Sequence, residues 1–274
     1  ALIALRTQTI DGFYLYPSGN ATGSVFIDPT TVLVANQESD EVGKFSLAQA
    51  NQTISETVSV APNPSEVITA SENLALVVSS NLDEFWAPRG EGVVTSIDPQ
   101  TMTVIGTAET GGTNPQFGAM GPDGLLYVSN TGNYLDPSSV AVIDPQTMIR
   151  VRTIEGFPAG SGDIYVDDSG LVYVSGFFFG TVVWDSQTGA FVRGPANPVC
   201  APLSGGGCRG ASSSFTASDG ALYQAFFGSA AQGLQPWVFR YEPGTFELAD
   251  SIPTGLGPSG LEIHTFRHAY AGSE

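Results

Sequence analysis

Basic residues are scarce in this chain. Nine Lys and Arg stand against 27 Asp and Glu, so the 274 residues carry a formal net charge of −18. Such a surface repels nucleic acid and anionic membranes and attracts cations or a basic protein. Long apolar runs are missing too: no stretch approaches the roughly 20 residues of a membrane span. No amphipathic helix of useful length can be traced. P-loop, Rossmann and nucleophile-elbow patterns are absent. Gly205-Gly206-Gly207 has neither the Lys nor the following helix that phosphate binding needs. Only two histidines occur, His264 and His268, and no Cys-x-x-Cys-His haem motif.

Cysteine is equally rare. Cys200 and Cys208 bracket a Gly-rich stretch flexible enough to close on itself. The pair reads as a disulfide pinning a long loop, because a zinc site would call for more Cys or His nearby. A disulfide implies an oxidising, extracytoplasmic setting, periplasmic or secreted. Ala1 in place of Met reads as a processed mature form. Asn20-Ala21-Thr22 and Asn51-Gln52-Thr53 fit the glycosylation sequon, a pattern common by chance.

Repetition is what the chain does have. Asp98-Pro99-Gln100-Thr101-Met102 returns as Asp144-Pro145-Gln146-Thr147-Met148, and Leu76-Val77-Val78-Ser79-Ser80-Asn81 is echoed by Leu125-Leu126-Tyr127-Val128-Ser129-Asn130. Copies of this second strand end near Asn36, Asn81, Asn130, Gly176, Phe226 and Gly272. Turn pairs such as Asp123-Gly124, Ser169-Gly170 and Asp219-Gly220 precede them, a strong hairpin signal. The apolar runs are short and β-branched, which favours strands. A period of about 45–50 residues with several strands each is the signature of a β-propeller. The expected fold is therefore all-β: one domain, 1–274, with six antiparallel four-stranded blades. Arg6-Thr7-Gln8-Thr9-Ile10-Asp11-Gly12 resembles the outer strand Arg150–Gly156, so the last blade is expected to be closed by strands from both termini.

Leu126-Tyr127-Val128-Ser129-Asn130 followed by Ser139-Val140-Ala141-Val142-Ile143-Asp144 resembles the YVTN-type β-propeller repeat, with Val34-Ala35-Asn36 and Val172-Tyr173-Val174-Ser175 as looser copies. The chain is also similar to NHL and lactonase-like propellers. The YVTN resemblance implies a surface, scaffold or binding module with no catalytic residue in the repeat. YVTN-type propellers are often seven-bladed, whereas six copies are counted here.

Two function classes follow. In a four-stranded meander, the loops after the second and fourth strands share one face. That face carries Phe13, Tyr14, Tyr16, Phe85, Trp86, Tyr134, Phe177, Phe178, Phe179, Phe226 and Phe227, together with the Cys200–Cys208 loop. The opposite face is tight and polar. Aromatic clusters on one side mark docking surfaces, although the same rings could pack beneath the long loops. Three consecutive rings at 177–179 cannot readily all face one core. The first reading is a non-catalytic scaffold subunit docking a protein partner or a larger membrane-associated assembly, its acidity steering a basic partner such as a cationic electron carrier. The alternative is a metal-dependent lyase or lactonase-like hydrolase. Asp28, Glu66, Asp163 and Glu262 fall on or near first strands, which line a propeller's channel, and could there hold a hard cation such as Ca²⁺. Otherwise no cofactor is expected. His264 is predicted on an inner strand and reads as structural.

Overall fold

The computed structural model describes residues 2–4, 9–12, 19–49, 53–54, 56–203, 205–228, 233–255 and 257–258. Among the described residues twenty-two strands are formed, and the sole helical element is a 3₁₀ turn at Leu47–Gln49. A hairpin of β1 (Leu2–Ala4) and β2 (Thr9–Gly12) precedes five four-stranded antiparallel meanders. The first holds β3 (Ala21–Asp28), β4 (Thr31–Asn36), β5 (Glu41–Ser46) and β6 (Glu56–Ser59). The second holds β7 (Pro64–Ser71), β8 (Leu74–Ser79), β9 (Val93–Asp98) and β10 (Thr103–Glu109). The third is β11 (Pro115–Met120), β12 (Leu126–Asn130), β13 (Ser138–Asp144) and β14 (Ile149–Phe157). Then follow β15 (Ser161–Val166), β16 (Leu171–Gly176), β17 (Gly180–Asp185) and β18 (Ala190–Arg193). The fifth is β19 (Ser213–Thr216), β20 (Leu222–Phe226), β21 (Trp237–Tyr241) and β22 (Leu248–Pro253).

The arrangement is propeller-like. The first strands pack in succession, β3 on β7, β7 on β11, β11 on β15 and β15 on β19, while the fourth strands of neighbouring sheets scarcely meet. Five four-stranded sheets are described, where six were expected. The strands expected around 260–264 and 269–272 lie outside the described residues, and among the described residues no pairing links the two ends.

Burial explains why the sheets stack. Four of the five core clusters draw on two consecutive sheets, and the fifth, Val32, Phe45 and Ile54, lies within the first meander. Val140, Val142 and Phe157 of the third meet Ile164, Val174 and Trp184 of the fourth. Leu76 and Val78 of the second meet Leu126 and Ile143 of the third. The second strands are buried on both sides, and every residue of β8 and β12 is buried. Most apolar side chains of a sheet are covered by the next sheet, so adding a neighbour is what makes each one stable.

The repeated turn motif has a physical basis. Asp98, Asp144 and Asp185 each accept the backbone N–H two residues on, from Gln100, Gln146 and Gln187, at 2.8–2.9 Å. The fifth residue of each motif adopts a left-handed backbone: Met102 (φ 51), Met148 (φ 53) and Gly189 (φ 71). In the fifth sheet the same role falls to Phe246 (φ 57), and the following strand begins at Leu248. A second device joins turn to sheet. The Tyr127 hydroxyl donates to Asp123 at 2.8 Å, and Tyr173 to Asp167 at 3.0 Å. Asp167 also accepts the Ser169 and Leu171 N–H groups. Asp167→Ala leaves the buried Tyr173 hydroxyl without its acceptor, so urea melts should show a loss of about 2 kcal/mol.

Candidate docking face and inner wall

The loops after second and fourth strands emerge together, and the aromatics there divide into two kinds. Phe85 is 80% exposed, Phe178 71% and Trp86 59%, and Tyr134, Phe177, Phe227 and the neighbouring Leu135 are also exposed. Phe179 and Phe226, expected on this face, are instead core residues at 8% and 9% exposure. Phe179 packs with Val174 and Val182, and Phe226 with Val199 and Phe239. Strand alternation is the cause: Phe179 turns inward just before β17, and Phe226 shares its side of β20 with Leu222. Phe13, Tyr14 and Tyr16 lie outside the described residues.

Four of the exposed rings, Tyr134, Phe178, Phe177 and Phe227, form a connected ridge over three sheets. Phe177 and Phe227 meet edge-on, centroids 6.1 Å apart. Tyr134 and Phe178 flank Gly160 from opposite strand tips, each close enough to touch a Cβ placed there. Elsewhere, exposed large apolar residues stand mainly on the fourth strands, such as Ile105, Val151 and Ile252, and Phe26 stands on β3. Among the described residues, the turns of the opposite face expose no aromatic ring. Trp86 (φ 63) and Tyr134 (φ 65) hold left-handed backbone conformations. For a bulky side chain this costs about 1–2 kcal/mol, and Gly or Asn would relieve it.

The ridge rests on a cross-braced base. Cys200 and Cys208 form the disulfide that the sequence suggested, with Cα atoms 5.6 Å apart. The Cys208 sulfur lies 3.1 Å from the Phe179 carbonyl oxygen, and the Ala211 N–H donates to the Gly176 carbonyl at 2.9 Å. Between them Gly210 passes so close to Phe177 that a Cβ would fall on its backbone carbonyl. Arg209 stacks on Phe226 and Phe239, its carbon Cζ 5.1 and 6.0 Å from the ring centres, and its Nη1 is buried without an acceptor.

Glu66 and Asp163 sit on first strands, as expected, but serve neighbouring strands. The Gly118 N–H of β11 donates to Glu66 Oε2 at 2.5 Å, and the Ser214 N–H of β19 donates to Asp163 Oδ2 at 3.3 Å. Each carboxyl thus satisfies a free edge of the next sheet's inner strand. Burial pushes the Glu66 carboxyl up to about 8; the Gly118 N–H opposes that shift and the charge of Asp163 adds to it. Burial also raises Asp163. Among the described residues no three Asp, Glu, His or Cys side chains gather as a metal site, and Glu262, His264 and His268 lie outside them. Asp28 accepts the Thr30 N–H at 2.7 Å and caps the β3–β4 turn instead of lining the inner wall.

No family model and no curated protein matches the chain. Among solved structures it is similar to Kuenenia stuttgartiensis hydrazine synthase, with a TM-score of 0.72 and 17% identity over 94% of this chain and 81% of that one. At that identity the likeness shows the fold alone.

Proposed function

We propose that the chain is a non-catalytic docking subunit, a six-bladed propeller in an extracytoplasmic compartment, which binds a protein partner or larger membrane-associated assembly through its aromatic face. The observation that carries this reading is the exposed ridge of Tyr134, Phe178, Phe177 and Phe227 on a frame whose opposite turns expose no ring among the described residues. Exposed aromatics grouped on one face are the usual anchors of an interface. The left-handed backbone at Trp86 and Tyr134 supports it, because large rings are kept where smaller residues would be easier. The disulfide supports the oxidising compartment.

Six blades are supported by the six strand copies and by the β1–β2 hairpin, a two-stranded sheet separate from the five complete ones. Phe26 adds to this. Its neighbours Val25 and Ile27 pack toward the second sheet, so Phe26 points to the side a sixth sheet would cover.

Phe178→Ser combined with Trp86→Ser should abolish co-purification with the native partner. Both side chains are exposed, so the fold should keep its stability within about 0.5 kcal/mol. If the partner still co-purifies, the docking face is wrong.

A further inference from the structure

A second feature of the same face has its own chemistry. A cavity of about 240 Å³ opens between the first two sheets, lined by Glu38 and Asp40 of the β4–β5 turn and by Asp83, Glu84, Trp86 and Arg89 of the β8–β9 loop. Four hydrogen bonds tie its walls. Asn63 N donates to Asp40 Oδ1, Leu82 N donates to Asn63 Oδ1, and Asp83 Oδ1 accepts the N–H groups of Phe85 and Ala87, all at 2.8–2.9 Å. The last pair folds the loop so that Trp86 forms one wall, and holds the Asp83 carboxyl below its ordinary range. Four carboxylates against one guanidinium leave the lining three charges negative.

An exposed indole beside ionised carboxylates is the environment that attracts an organic cation, through the ring quadrupole and through charge. A hydrated metal ion fits less well. Asp40 and Asp83 spend oxygens on backbone N–H groups, and no three metal-ligating side chains are gathered among the described residues. An anion is repelled by the lining and by the whole chain. We propose that this cavity receives the protonated amine of a lysine side chain presented by the docked partner, its methylene stem along Trp86 and its charge toward Asp40, Glu38 and Glu84. The proposal rests on the docking reading and specifies the partner's chemistry: apolar residues over the ridge, with a basic residue at the Trp86 end.

The test uses the isolated protein, so it does not depend on the partner. Nα-acetyl-lysine amide is titrated at low salt with tryptophan fluorescence as readout, and norleucine amide, acetylated likewise, serves as the neutral match. Trp184 is buried and Trp237 is half-buried on the fifth sheet, so the titration is run in a Trp237→Phe background, where Trp86 is the accessible reporter. A saturable change with lysine amide is expected, absent with the norleucine compound. It should weaken at least fivefold in Glu38→Gln with Glu84→Gln, two exposed positions whose exchange leaves the fold intact. No saturable response, an equal response to norleucine amide, or an unchanged affinity in the double variant would overturn the proposal. Loss of lysine binding with docking retained, or the reverse, separates this proposal from the docking reading itself.

Discussion

Glu66→Gln is expected to stabilise the protein at pH 9 by about 2–4 kcal/mol and to leave it nearly unchanged at pH 4. Burial raises the folded-state pKa of Glu66 from 4.5 to about 8. Below pH 4.5 both folded and unfolded states hold the proton, and the group is neutral toward stability. Between 4.5 and 8 the unfolded chain releases the proton and the folded chain keeps it, so stability falls as pH rises. Above 8 the full cost is present. Glutamine removes that titration, and its side-chain oxygen can still accept the Gly118 N–H. Asp163 contributes in the same direction. The exposed turn carboxylates Asp98, Asp144 and Asp185 act oppositely: backbone or side-chain hydrogen bonds lower them, so their contribution is lost as pH falls below the ordinary aspartate value of 3.8. The wild-type protein should therefore be most stable at about pH 4–5. Urea melts of both proteins at pH 4, 7 and 9 measure this; identical pH profiles would show that Glu66 is not held protonated.

Gly210→Ala is the second large effect, with an expected loss of about 2–3 kcal/mol. The added methyl would fall on the Phe177 backbone carbonyl. Backbone cannot rotate away as a flexible side chain can, so either the strand leaving the disulfide or the hairpin tip at 177–179 must move. Movement breaks the Ala211 to Gly176 hydrogen bond and shifts Cys208 from Phe179. The substitution thus links stability to the proposed docking face, because the tip that moves carries Phe177 and Phe178. The docking reading expects weaker partner binding from Gly210→Ala as well as a lower melting temperature. The Phe178→Ser and Trp86→Ser exchanges should affect binding alone.

Much of this was legible in the chain because propeller-like sheets are built from local signals. Asp123-Gly124, Ser169-Gly170 and Asp219-Gly220 marked hairpins that the structure forms between β11 and β12, β15 and β16, and β19 and β20. The repeated Asp-Pro-Gln-Thr-Met motif falls in the turns between third and fourth strands, and meander logic placed each loop on a face. The inward or outward aim of single rings was harder to read. Phe177, Phe178 and Phe179 are identical in composition, and only the register at the β16–β17 tip buries the third. The role of Glu66 was hidden for a related reason. Its partner is a backbone N–H 52 residues away on another sheet, and sequence gives no sign of such a contact. The Trp86 cavity was likewise invisible, because Glu38, Asp40 and Trp86 meet only once two sheets stack.

The most direct measurement of the docking face is the fraction of native partner retained after purification of three proteins: wild type, Phe178→Ser with Trp86→Ser, and a control altered on the opposite face at Gln146→Ser with Asn73→Ser. Wild type and control should retain the partner equally, and the aromatic variant should lose it while its melting temperature holds. Retention by the aromatic variant, or loss confined to the control, would contradict the account.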